Sequence, residues 1–413
     1  MNTLNDLHRI QNKKFDINQI ARSLVENLLN EVMSIQADEL CETLGTSRNG
    51  YRQRGLNTCI GELTLYVPKM REGSYFPEDI VEKWSRTDTA LASAICDMWV
   101  NGISNRKVEK IVSNLGIEKM SKSKVSRLCR SLDLEIDSLR NCDLSNQEWP
   151  YLWLDATYTH CRCSGTVKSV ALVVAAAANK EAGRQIIGMS YFDTENYLDW
   201  RDFLMSLKGR GLSGVKLVIS DEHAGLVRAI NETLSGASHQ RCIAHLEKNI
   251  YCRIKKQNIS NATIGALKMA FKETDPYLVK AGYQKAVDLL EKNDEKGAKL
   301  LEEAEPFALA YLSFPKEHAK WLRTNNVVER INCELKRRSK VVQVFPSTES
   351  LIRLSGAICC DYNDKWLNEK WFMNRLSMEN LDQEQINTKP KNEEKQSIER
   401  SVEEEFERLL KVA

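Results

Sequence analysis

Apolar residues recur at helical spacing between residues 15 and 45, at Ile20, Leu24, Leu28, Val32 and Ile35, and predict a helix with one packing face. The pattern breaks at TSRNGYRQRGLNTCIGELTLYVPKMREG, where Arg48, Tyr51, Arg52 and Arg54 read as a glycine-broken loop ahead of the strand-like LTLYV. Helical spacing returns in GISNRKVEKIVSNLGIEKMSKSKVSRLCRSLD, residues 102 to 133. A helix from Arg106 to Leu115, apolar at Val108, Ile111, Val112 and Leu115, meets Gly116 and a short turn. Ser121 or Ser123 then N-caps a second helix that carries Val125 and Leu128 inward. That is the spacing of a helix-turn-helix.

In the middle of the chain the pattern becomes that of strands. The apolar run Tyr151 to Leu154 stops at Asp155, and TVKSVALVVAAAA (166–178) and RQIIGMSYFDT (184–194) read as two further strands joined by the polar turn NKEAG. DWRDFLMSLKGRGL, with Trp200, Phe203, Leu204 and Leu207 at helical spacing, predicts a crossover helix. The apolar strand VKLVIS follows and ends at Asp221, within KLVISDEHAGL. The order strand, strand, strand, helix, strand, helix is that of a ribonuclease-H-like sheet. In it the first and fourth strands lie side by side, so Asp155 and Asp221 are expected as neighbours at one sheet edge, where open α/β sheets place their chemistry.

Composition narrows the class. At 413 residues and 42% hydrophobic, the chain can bury the cores of two or three domains. No apolar run is long enough to span a bilayer, and MNTLNDLHRIQNKKFD lacks a signal-peptide core, so no membrane association and a cytoplasmic location are expected. The 12 cysteines are scattered and are expected to be free thiols. A net charge of +2 excludes indiscriminate coating of nucleic acid but leaves room for local basic faces. One such face lies between Gly102 and Arg140, where Lys122, Lys124, Ser126 and Arg127, early on the second helix, together with Arg106, are expected to meet the major groove or its phosphates. Arg48, Tyr51, Arg52 and Arg54 form a second basic and aromatic set suited to DNA contact. The tail, with Glu393, Glu394, Glu399 and the run Glu403 to Glu405, is acidic; it reads as a polar linker into one short amphipathic helix and is assigned no chemistry.

Two adjacent carboxylates raise each other's pKa unless a cation sits between them, and hard divalent ions such as Mg²⁺ are the usual partner. A third carboxylate on a nearby helix completes a site for two ions able to promote phosphoryl transfer. Glu329, in RTNNVVERINCELKRRSKVVQVFPS, is the best candidate. If Asn325 or Asn326 starts a helix, Val328, Ile331 and Leu335 share the face that packs on the sheet, while Asn332, Cys333, Lys336, Arg337 and Lys340 share that of Glu329. Lys336, Arg337 and Lys340 then offer cations to DNA phosphates.

RNGYRQRG, GISNRKV, WLDATYTHCR with SVALVVA, LVISDEHAGL, QRCIAHLEKN and FPKEHAKWLRTNNVVERINCELKRRSKVVQVFPS run in order from about residue 48 to about residue 370. In these stretches the chain resembles transposases of the IS256 family, bacterial relatives of the Mutator transposases. The resemblance implies an acidic catalytic triad at Asp155, Asp221 and Glu329, two bound Mg²⁺ with Mn²⁺ as a substitute, and an all-helical insertion between Asp221 and Glu329. It also places the family's signature near the active site on Cys242, His245, Asn326 and Arg330. Cys242 and His245 could be half a zinc site with Cys161 and Cys163, but a hydrogen-bonding histidine near the carboxylates is the expectation. The chain departs from the family at His239 and Lys320, where Trp is usual.

The expected fold class is α/β: a ribonuclease-H-like catalytic core with an all-helical insertion, preceded by a mainly helical DNA-binding region containing a helix-turn-helix. The expected divisions are 1–100 (helical and basic-loop DNA-binding region), 101–145 (helix-turn-helix), 146–254 (first part of the core), 255–316 (insertion), 317–380 (C-terminal core helices) and 381–413 (acidic tail). The expected activity is Mg²⁺-dependent cleavage and transfer of DNA strands at terminal inverted repeats, by a homodimer on double-stranded repeat and target DNA at the bacterial nucleoid. The alternatives are a transposase-derived DNA-binding regulator, or a ribonuclease-H-like nuclease without strand transfer.

Overall fold

A computed structural model describes residues 17–78, 80, 87–115, 117, 120–369, 371–381 and 390–411. Gly116, at the expected turn, and the side chain of Lys122 lie outside the described residues. The chain divides after Asp133 into two units.

In the first unit, helix α1 (Ile17–Leu44) buries Met33, Ala37 and Cys41, and with Val25 and Leu29 it packs on a β-hairpin through Leu56, Leu63, Leu65 and Val67. The expected packing face is therefore corrected: Ile20, Leu24, Leu28 and Ile35 are exposed, Leu24 by 64%. α1 carries two apolar stripes with the same spacing, and the hairpin covers only the other one.

The hairpin is β1 (Arg48–Thr58) paired antiparallel with β2 (Gly61–Met70). This also corrects the loop expected at Arg48, Tyr51, Arg52 and Arg54, which lie on β1. The alternation of β2 supplies the buried Leu63, Leu65 and Val67, so the outer half of β1 joins through backbone pairing and keeps its polar residues. Gly50 (φ 76°) sits in the bulge between Arg48 and Tyr51.

Helices α2 (Thr89–Val100), α3 (Asn105–Asn114) and α4 (Lys122–Leu128) share a core of Leu91, Ile95, Val108, Val112, Ile117 and Val125. Ser104 and Ser121 cap α3 and α4, accepting from Lys107 N and Lys124 N. Ile111 and Leu115, expected inward, are exposed, because the buried stripe of α3 is Val108 and Val112.

In the second unit, α5 (Asp133–Asn141) leads to β3 (Tyr151–Cys163), β4 (Thr166–Ala178) and β5 (Arg184–Phe192), an antiparallel trio. After α6 (Tyr197–Gly209), β6 (Leu217–Ser220) pairs parallel with β3. After α7 (Ala224–Thr233), β7 (Ser238–Arg241) pairs parallel with β6, giving the strand order β5-β4-β3-β6-β7. β3 runs on past Asp155 to Cys163, because Thr157, Thr159 and Cys161 bury alternate positions there. Leu152, Leu154, Val173, Ala175 and Val218 face α6 and α7, whose Trp200, Leu204, Leu226 and Ile230 complete that layer.

Four helices follow: α8 (Ile243–Arg253), α9 (Gln257–Ala270), α10 (Pro276–Glu291) and α11 (Glu295–Ala308). The chain then returns to the sheet through α12 (Ala319–Leu322), α13 (Asn326–Val342), β8 (Val344–Phe345), which pairs with β3, and α14 (Thr348–Leu367). α15 (Arg375–Glu379) precedes α16 (Asn392–Leu410), which packs on α9 and α10 through Ile398, Val402 and Phe406, with Lys285 and Glu403 paired at 2.9 Å. The acidic tail is thus a structural part of the helical segment. All the cysteines are free, and no described helix is long and apolar enough to cross a membrane.

Candidate active site

The register of β3 on β6 sets the site. Tyr151 pairs with Leu217, Leu152 with Val218 and Trp153 with Ile219; β3 continues to Asp155 and β6 ends just before Asp221, which lies close enough to act on the Asp155 carboxyl. β8 takes up pairing with β3 only at His160, so this edge of β3 is open between the two partners. α13 lies against the gap. Asn325, before its first turn, donates from Nδ2 to Leu154 O at 2.7 Å, and Asn332 donates from Nδ2 to Asp155 Oδ2 at 2.8 Å. Both asparagines are buried, and Val328, Ile331 and Leu335 pack beneath them as the spacing predicts. Glu329 stands exposed on the same helix, one turn before Asn332.

Burial pushes the Asp155 carboxyl up to about 6; nearby Asp221 adds to this, while His245 and the Asn332 hydrogen bond oppose it. The loop after β6 orients Asp221, whose Oδ1 accepts from His223 N at 3.2 Å. Cys242 beside the ring, and then Asp155 and Asp221, push His245 up to about 9 against its burial. His245 thus lies near the paired carboxylates and favours the charged form of Asp155. Cys242 is buried and locked between strand and helix, with its N–H on Ser220 O and its sulfur accepting from Asn325 N. His223 caps α7 through Nδ1, which accepts from Leu226 N.

The oxygen donors of Asp155 and Asp221 suit a hard divalent ion, and Asn332 Oδ1 beside them is buried with no hydrogen-bond partner among the described residues. Glu329 is not drawn in with them: among the described residues, no group of three His, Cys, Asp or Glu side chains is close enough together to hold a metal ion.

Other expected site residues fall in several places. Lys336 and Lys340 are exposed along α13, as are Asn326 and Arg330. Arg337 is engaged with Glu334 at 2.8 and 2.7 Å. In the first unit, Arg106 and Arg127 are exposed and Lys124 is half-buried. Tyr51 and Arg52 are exposed, but Arg48 is held by Ser34, Asp38 and Tyr51, and Arg54 lies over the Phe76 ring at 5.3 Å.

Two features escaped the sequence reading. The grip of Asn325 and Asn332 on β3 was hidden because Asn332 counted among the residues of an exposed face. Glu195 accepts from Tyr158 OH at 2.6 Å and Trp200 Nε1 at 3.0 Å, in a network with His223 that no spacing revealed.

The family model for "Transposase, Mutator family" matches residues 2–369. The chain is 34% identical over 356 residues to the transposase for insertion sequence element IS1081 of Mycobacterium tuberculosis, covering 84% of this chain and 86% of the relative. It is 35% identical over 350 residues to the transposase for IS256 in transposon Tn4001 of Staphylococcus aureus, covering 84% and 89%. A third relative, the transposase for ISRM5 of Rhizobium meliloti, is 32% identical over 355 residues, covering 84% and 88%. With the carboxylates gathered at the β3–β6 edge and this match over most of its length, the chain belongs to the Mutator family of transposases.

Proposed function

We propose that the chain is an insertion-sequence transposase that binds the terminal inverted repeats of its element and cleaves and transfers DNA strands through Asp155, Asp221 and Glu329. The pairing of β3 with β6, which brings Asp155 and Asp221 near each other, carries this reading. The strand order, with its antiparallel trio and parallel β6 and β7, supports a ribonuclease-H-like core, and α9 to α11 support a helical insertion between Asp221 and Glu329. The capped pair α3 and α4 supports a helix-turn-helix that reads DNA through its basic side.

Asp155 and Asp221 would hold two Mg²⁺, or Mn²⁺ in their place, with Glu329 ligating one. Bound there, the ions supply activation of an attacking oxygen and neutralisation of the leaving one. Asn332 fixes the Asp155 carboxylate and the His223 N–H fixes that of Asp221, so both acids are oriented before DNA arrives. His245 nearby favours the charged form of Asp155. Lys336 and Lys340 hold phosphates along α13, and a second copy of the chain on the paired element ends would complete a homodimer.

The test is a strand-transfer assay on duplex DNA carrying the element's end, as found in the sequence flanking the gene, with Mg²⁺. Cleavage followed by joining is expected. Cleavage without joining would make the chain a nuclease, and binding without cleavage would make it a regulator.

A further inference from the structure

Next to Asp221 in the chain, α7, β7, the end of α8 and the end of α11 line an open pocket of about 640 Å³, a size usual for small-ligand sites. Its rim begins at Glu222, immediately after Asp221. Three arginines line it. Arg228 pairs with Glu232 at 2.8 Å and Arg241 with Glu222 at 2.5 Å, while Arg253 forms no ion pair with a described residue and lies close enough to Arg241 to act on its charge. The pocket therefore carries an excess of positive charge.

The walls are built for more than an anion. His239, 8% exposed, is engaged through Nε2 with Ser220 Oγ at 2.9 Å, which fixes its ring in the wall. Phe307, 45% exposed, stands 6.0 Å from it at 51°. An arginine for a phosphate and an exposed aromatic face for stacking are together chemistry that meets a nucleotide.

We propose that this cavity receives one unpaired nucleotide of the DNA strand adjoining the cleaved bond, its phosphate on Arg253 and its base against Phe307 and His239. The proposal rests on the functional reading above, because Glu222 at the rim follows Asp221. Unstacking a base costs free energy that the pocket returns, so the pocket selects DNA ends whose terminal pairs open easily.

The experiment uses the full chain and duplexes of the element's end, with 2-aminopurine moved one position at a time through the nucleotides flanking the cut. A fluorescence rise on binding is expected at one position. Phe307→Ala and Arg253→Ala, both at exposed side chains, are expected to slow cleavage by about tenfold. On a duplex made abasic at the responding position, wild type and Phe307→Ala should cleave equally, since neither has a base to stack. If wild type cleaves but no position responds, or if Phe307→Ala is as impaired on abasic as on intact DNA, the nucleotide pocket is overturned while the functional reading stands. A wild type that neither cleaves nor joins overturns the functional reading and the pocket with it.

Discussion

Asp221 and His318 are two buried-edge residues whose charge states have opposite uses. Asparagine at 221 keeps the volume of aspartate and an acceptor for the His223 N–H, but lacks the charge that would hold a divalent ion. Asp221→Asn is therefore expected to abolish cleavage and joining while inverted-repeat binding stays within a few-fold; strand transfer near the wild-type rate in Mg²⁺ would remove Asp221 from the ligand set. His318 must instead stay neutral. Ser377 Oγ donates to Asn374 O, so it accepts from His318 Nε2 at 2.7 Å, which leaves Nδ1 to accept from Tyr151 OH at 2.9 Å. Burial pulls His318 down from 6.5 to about 4. Above pH 6.5 the ring is neutral folded or unfolded; as pH falls from 6.5 to 4 only the unfolded chain takes up the proton, so stability is lost across that window. The full effect is on the order of 3 kcal/mol. Denaturant unfolding of His318→Gln should show a shallower loss of stability than wild type between those pH values, whatever its absolute stability. An identical slope would place the proton uptake elsewhere.

Along α13 the two acids, Glu329 and Glu334, differ in what already holds them. Arg337 and then Arg338 hold the Glu334 carboxyl down at about 2, Arg338 at 2.5 Å, so it is committed to its own helix. Glu329 is exposed one turn from the asparagine that grips Asp155. Glu329→Gln is accordingly expected to stop chemistry on a pre-cut DNA end with binding intact, and Glu334→Gln to leave turnover measurable; the reverse pattern would move the third ligand to Glu334. Lys336→Ala with Arg337→Ala should weaken substrate engagement, with a loss that grows with salt and is partly overcome by more DNA. The exposure of Glu329 and the apolar face of α13 were legible because helical spacing fixes which side chains share a face, though the same spacing put the buried Asn332 on the outer side. The same rule misled at α1, whose two apolar stripes obey it equally, and only the hairpin decides that Met33 and Ala37 go inside while Leu24 stays out. Periodicity also missed β1, where Arg48 to Arg54 owe their extended form to pairing with β2 rather than to burial. It ended β3 at Asp155 too early, because polar Thr157 and Thr159 fill buried positions.

Over the whole molecule, the candidate metal site and the helix pair proposed to read DNA fall in different units. Every candidate for the metal site lies after Asp133, and α3, α4 and the hairpin lie before it. The second unit is also closed by its own far end: α16 lays Ile398, Val402 and Phe406 on α9 and α10, which explains why a strongly acidic tail still carries an apolar stripe. On the proposed function, this division would make binding and cutting separable. Arg106 and Arg127 are exposed on α3 and α4, and Lys122 and Lys124 begin α4, the position from which a recognition helix meets DNA. Replacing all four by alanine keeps the core residues Val108, Val112 and Val125 and the serine caps of both helices, so the fold should survive. If the four meet phosphates, affinity should fall for repeat and unrelated DNA alike, and the slope of log affinity against log salt should flatten by about one for each phosphate no longer neutralised. If one of them reads a base edge, its single alanine variant should cost roughly 1 to 3 kcal/mol on the repeat and relax discrimination at one base pair. A gel-shift series over salt, run with repeat and scrambled duplexes, distinguishes the two. On a pre-cut end supplied at saturating concentration the quadruple variant should still join strands, since Asp155, Asp221 and Glu329 are intact. Unchanged affinity in that variant would shift recognition to Tyr51 and Arg52 on the exposed outer half of β1, and alanine there would then have to flatten the salt slope in the same way.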